Sequence, residues 1–145
     1  MNTIVLNTMT GAVSEYAGFD FQSLTPTHAG NAVGLYVLGG DLDGQAPITA
    51  QIVTGKPQWG TSLKKFVSTV YFAMKGVGTG ELTVYGENDH YSYTFPVRAS
   101  GESRCLTGRG IRENYLAFGF RNINGAAFRL DRIEALTAQS TSRRV

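Results

Sequence analysis

Apolar and polar positions alternate in twos along most of this chain, which predicts strands rather than helices. Phe66, Ser68, Val70, Phe72 and Met74 mark one face of a run whose other face carries Val67, Thr69, Tyr71 and Ala73. Both faces are largely apolar, so this strand is expected to be central and covered on both sides. After the turn Gly76-Val77-Gly78-Thr79-Gly80, Leu82 and Val84, then Tyr91, Tyr93, Phe95 and Val97, alternate on two strands joined by Glu87-Asn88-Asp89-His90. That glycine turn imitates a phosphate-cradling loop, but no helix pattern follows it, and a hairpin turn is the better reading. Ile48, Ala50 and Ile52 alternate with Thr49, Gln51 and Val53, a half-buried strand ended by Thr54-Gly55-Lys56-Pro57. Between Gly108 and Arg132 an apolar run, Tyr115 to Phe120, and a second, Ala126 to Leu130, flank Asn122-Ile123-Asn124-Gly125. Asn-Gly tolerates the positive φ angles of a tight return, so a buried β-hairpin is predicted there. Ile133 is out of phase with Phe128 and Leu130, which a bulge near Asp131 would reconcile. Ile111, Tyr115 and Phe118 are also spaced as on a helix face, leaving room for one helical turn over 112–116.

Upstream, Thr3 to Asn7 and Ala12 to Tyr16 flank a turn in which Gly11 takes the left-handed position, a first hairpin. Ala17 to Ala32 reads as a loop and Val33 to Leu38 as a short strand. A soft boundary near Gln45 gives an N-terminal hairpin segment, 1–45, and a larger domain, 46–145, whose folded part covers roughly 46–137. From Ala138 the chain reads as a polar tail whose removal would leave the domain's stability unchanged. Short strands separated by Gly-rich turns predict an all-β fold: an antiparallel β-sandwich, jelly-roll-like, preceded by a small pair of β-hairpins.

Composition agrees with this pattern. The 145 residues suit one domain with a small appendage, and eight Phe, seven Tyr and one Trp supply its core. The opening residues hold neither a basic segment nor a long apolar one, so synthesis and folding in a cytosol, with no membrane contact, are expected. Charge is uneven along the chain. Residues 1–97 hold four lysines against seven acids, a net of −3, whereas 98–145 hold nine arginines against four acids, a net of +5. Such polarity suits head-to-tail assembly, and arginine suits bidentate contacts to carboxylates. Arg98, Arg109, Arg112, Arg143 and Arg144 are the expected interface residues.

Enzymatic chemistry finds no foothold, and no catalytic, cofactor or metal residues are assigned. Only His28 and His90 are present, and neither sits in a Ser-His-Asp ordering. Counted from Asp41 as a calcium loop, the sixth and twelfth positions are Ala46 and Ile52 rather than Gly and Glu. The single Cys105 reads as a small buried hydrophobe. A reading from another class is a carbohydrate-binding module that recognises a host surface glycan through Trp59, Tyr85, Tyr91 and Tyr93. Nucleic acid is the weaker partner, because the arginine stretch lacks interleaved exposed aromatics.

The pieces ITAQIVTG, SLKKFVSTVYFAMKG, GELTVYG with YSYTF, GRGIRENYLAFGFRN with NGAAFRLDRIE, and SRRV resemble a module of tail-associated virion proteins of double-stranded DNA bacteriophages. LNTMTGAVSEY with GLYVLGG resembles the segment that precedes it. The resemblance implies a non-enzymatic structural component of a phage tail, at the tip, a connector or a fibre attachment. It implies a homo-oligomer within a symmetric ring or trimer, with other virion proteins as partners.

Overall fold

A computed structural model of the chain describes residues 2–17, 19–40 and 42–140. The chain divides into two compact units, 1–40 and 41–145. In the first, β1 (Asn2–Leu6) and β2 (Val13–Ala17) form an antiparallel hairpin. Asn7 Oδ1 accepts the amides of Met9 and Thr10 at 2.9 and 3.2 Å, and Gly11 adopts a φ of 72°, as the return requires. β3 (Ser23–Leu24), β4 (His28–Gly30) and β5 (Leu35–Val37) form a three-stranded antiparallel sheet. β3 and β4 lie in the stretch expected to be a loop. Their turn is held by Thr25 Oγ1, which takes the His28 amide at 2.9 Å and donates to the His28 carbonyl at 3.1 Å. Pairing built on hydroxyls and backbone leaves no hydrophobic period to read.

The second unit begins with a small hairpin, β6 (Leu42–Asp43) with β7 (Ala46–Pro47). Eight strands follow: β8 (Gln51–Val53), β9 (Lys65–Gly76), β10 (Thr79–Tyr85), β11 (His90–Pro96), β12 (Glu102–Leu106), β13 (Arg112–Glu113), β14 (Ala117–Asn122) and β15 (Phe128–Gln139). One sheet has the order β11-β10-β14-β8. In the other, β9 is central, with β15 along one edge and β12 and β13 sharing the other. All pairings are antiparallel. The sheets meet face to face over Val70, Phe72 and Met74 from β9, Leu82 and Val84 from β10, Phe95 from β11, and Phe118 and Phe120 from β14. Phe72 stacks on Phe95 at 4.7 Å, and Phe120 meets Phe128 edge-on at 4.7 Å. This is the sandwich-like, all-β architecture that the alternation predicts.

Two expected hairpins are crossovers instead. β14 pairs with β10 and β8, so both its edges are taken and β15 pairs with β9 in the opposite sheet. The Asn124-Gly125 turn has the expected positive φ angles, 55° and 68°, but carries the chain between sheets. β9 is likewise occupied on both edges, so the 76–80 glycine turn also changes sheet. The local chemistry of a tight turn specifies a return of the chain and does not specify which strand receives it.

Other corrections are local. The expected single face of β9 breaks at Ser68, opposite the register shift between Leu136 and Thr137, so Lys65 and Val67 point inward before the bulge and Val70, Phe72 and Met74 after it. Phe66 therefore shares the outer face with Arg112. No second layer covers that face as expected: Tyr71 and Ala73 are only half-buried. The bulge predicted near Asp131 is present between Leu130 and Arg132. No helical turn forms over 112–116; Arg112 and Glu113 pair with β9 instead. Ala138 and Gln139 belong to β15, and the Ser140 amide donates to the Lys64 carbonyl at 2.8 Å, so the polar tail does not begin at 138. Residues 48–50 lie outside the strand expected there, because the Asn122 side chain replaces a backbone ladder. Its Oδ1 accepts the Ala50 amide at 2.8 Å, and its Nδ2 donates to the carbonyls of Ile48 and Ala126 at 3.0 and 3.1 Å.

Candidate functional site

The outer face of the β11-β10-β14-β8 sheet is built from the alternate residues of the core strands. Leu82 and Val84 point inward, so Glu81, Thr83 and Tyr85 point out; their partners Thr94, Ser92 and His90 share that face, as do Arg121 and Gly119 of β14 and Gln51 of β8. A shallow groove of about 270 Å³ is lined by Gln51, Glu81, Thr83, Tyr85, His90, Ser92 and Arg121. The Tyr85 side chain reaches from β10 across β14 to β8, where Gln51 Nε2 donates to its hydroxyl at 3.3 Å. It can lie along the sheet because position 119 is glycine: a Cβ there would sit 3.0 Å from Tyr85 Cε2. The His90 ring flanks Tyr85, with centroids 6.4 Å apart. Below them the hydroxyls of Thr83 and Ser92 are hydrogen-bonded at 3.2 Å, and Arg121 Nη2 lies 3.0 Å from Glu81 Oε1.

The other expected aromatics are elsewhere. Tyr91 and Tyr93 face inward with Val84 and Leu82 and pack on the core. Burial, together with the nearby Glu113 carboxylate, which its hydroxyl meets at 3.3 Å, raises the Tyr91 pKa above its ordinary value. Trp59, half-exposed, packs edge-on over Phe118 at 6.0 Å and donates from Nε1 to the Leu116 carbonyl at 2.8 Å. It lines a mostly apolar cleft of about 270 Å³ with Phe118, Ile133 and Ala135. The four residues do not form one platform, and Tyr85 alone lies on the polar face.

The chain matches no protein-family model, no curated protein and no solved structure.

The expected interface arginines also separate. Arg98 is exposed and, with Arg104, flanks a groove of about 360 Å³ that includes Tyr71 and Glu102. Arg109 is exposed in the turn before β13. Arg112 is half-buried and engaged within the fold, its guanidinium 5.2 Å from the centre of the Phe66 ring and its Nη2 bonded to Ser140 Oγ at 2.9 Å. Arg143 and Arg144 lie outside the described residues. Among the described residues no three His, Cys, Asp or Glu side chains converge as a metal site.

Two buried titratable groups lie in the second unit, one expected and one not. Cys105 is buried as expected, and desolvation pushes its thiol up to about 11. Lys65 is 1% exposed, and its ammonium donates to the carbonyls of Thr61, Leu63 and Asn114 at 2.7, 3.0 and 3.0 Å. Those three bonds use all its donors, and burial lowers its pKa from the ordinary lysine value. Nothing in the pair Lys64-Lys65 distinguishes the buried member. The groove residues Glu81, Thr83 and Ser92 follow from the alternation as outward strand positions, whereas His90 was expected in a turn and Arg121 at the end of an apolar run, and their neighbourhood required the strand order.

Proposed function

We propose that the chain is a non-enzymatic structural subunit of a double-stranded DNA bacteriophage virion, placed in or near the tail and acting through protein–protein assembly. The observation that carries the assembly part is the surface of the first unit. Among the residues of 1–40 whose burial is described, only Ala29 is a buried hydrophobic, whereas Ile4, Leu6, Met9, Val13, Leu24, Val33, Leu35 and Val37 are each more than half exposed, Met9 at 93%. A segment near the ~40-residue limit for independent folding gains little from such a core, and apolar residues presented at this density suit a partner surface. The second unit adds open edges: β15 pairs only with β9 and β8 only with β14, so each has an unpaired side on which a neighbouring subunit can add a strand. Exposed Arg98 and Arg109 supply polar contacts at the rim. The tail placement rests on the resemblance of the strand and turn segments.

The partners in this reading are other tail proteins and further copies of the chain in a symmetric assembly. Immunogold labelling of particles made by the phage whose genome encodes the chain tests it. Label on the tail is the expected result, and its absence from intact particles and from isolated tails would sink the proposal.

A further inference from the structure

In the groove around Tyr85 an aromatic ring, hydroxyls, an amide and an ion pair converge on the outer face of a sheet. We propose that it is a binding site for a single neutral pyranose residue, of the kind exposed on bacterial surface polysaccharides. This goes beyond the assembly reading and does not depend on it.

Shape is the first argument. The volume of about 270 Å³ falls just below the ~300 Å³ at which sites for drug-sized ligands begin, so the groove suits one small ring. The second is the aromatic. Tyr85 is held along the sheet by Gln51 and by the missing side chain at Gly119, a pre-set surface for the apolar C–H face of a sugar, with little ordering cost on binding. The third is the arrangement of donors and acceptors. The Ser92 hydroxyl, paired with that of the buried Thr83, the Gln51 amide, the Glu81 carboxylate and the Arg121 guanidinium line the groove with the ring. Arg121 reaches Glu81 through Nη2 alone, and a guanidinium carries five N–H donors. The internal pairs fix the side chains while leaving capacity for hydroxyl groups. The fourth is charge, which decides the ligand class. Glu81 and Arg121 neutralise each other at 3.0 Å, so the arginine is not free to serve a uronate or a phosphate, and His90 is the other basic side chain on the lining. A neutral, hydroxyl-rich ring meets these groups without leaving a charge unsatisfied.

The test is an NMR titration of the full chain with the methyl glycosides of glucose, galactose, N-acetylglucosamine and rhamnose, and with glucuronate as the charged comparison, at tens of millimolar. The proposal expects shifts confined to Tyr85, His90, Gln51, Ser92 and Arg121 with at least one sugar. Tyr85→Ala should weaken that binding at least about tenfold, the change that ~1.4 kcal/mol of lost stacking produces. Arg121→Ala, at an exposed site, should weaken it while leaving the rest of the spectrum in place. Trp59→Ala should not affect it. No shift at the groove with any of the four sugars would overturn the site. So would binding unaffected by Tyr85→Ala, or binding that moves to the Trp59 cleft. Binding of glucuronate alone, lost on adding salt, would overturn the neutral class. None of these outcomes bears on whether the chain is found in tails, so the two proposals fail separately.

Discussion

Lys65 holds three segments together through a single ammonium. The loop carbonyls of Thr61 and Leu63 and the carbonyl of Asn114, next to β13, all converge on it. Replacing the amine by a thioether of similar length recovers the desolvation cost but leaves three carbonyls without a donor, each worth about 1–3 kcal/mol if buried. Lys65→Met should therefore lower stability by roughly 2–4 kcal/mol in urea unfolding, the balance of those terms; an unchanged midpoint would mean desolvation outweighs the bonds. Cys105 gives a pH signature. Its folded pKa, about 11, lies above the ordinary 9.0, so the folded state binds the proton more tightly. The contribution is fully present below pH ~9 and lost as pH rises toward ~11, about 3 kcal/mol for a two-unit shift. Tyr91, also raised, acts in the same direction, and Lys65, lowered, acts in the opposite one. The difference between wild type and Cys105→Ala isolates the thiol: it should narrow steadily from pH 9 to 11, and a constant difference would contradict the assignment.

At the scale of elements, the two crossovers define the sandwich, and the one after β14 depends on Asn122. Its carboxamide joins residues 48–50 to the start of the 126 turn through three hydrogen bonds. Asn122→Ala should cost roughly 1–3 kcal/mol, because three partly buried or exposed backbone groups lose their partners, and should speed amide exchange at Ala50 selectively. Uniform exchange along β8 and β14 would contradict the local role. This residue also marks the limit of what the sequence disclosed. Alternation placed β9, β10 and β11, an apolar run before a turn placed β14, and the phase slip at Ile133 placed the bulge after Leu130, because all are properties of neighbouring residues. Strand partners are not. Asn124 and Gly125 specify a reversal, and the edges already taken on β14 turn it into a crossing. The groove was legible only in part for the same reason: Glu81, Thr83 and Tyr85 read as outward, but Gln51, Gly119 and Arg121 reach them through β14 and β8, a pairing no local pattern encodes. Lys65 gave no signal, since a buried lysine and an exposed one differ only in what surrounds them.

Each of the two units, taken as a whole, has its own balance between core and surface. The second closes a core around Phe72, Phe95 and Phe120 and keeps polar groups on the outer face of one sheet. The first buries Ala29 and exposes most of its large apolar side chains, the surface that the proposed assembly would cover. Covalent footprinting of the protein, free and in purified phage tails, tests this most directly. The account predicts that Ile4, Leu6, Met9, Val33, Leu35 and Val37 label readily in the free chain and are protected in the tail, while the buried core of the second unit labels weakly in both. Equal labelling of these residues in the free and the tail-bound chain would contradict it.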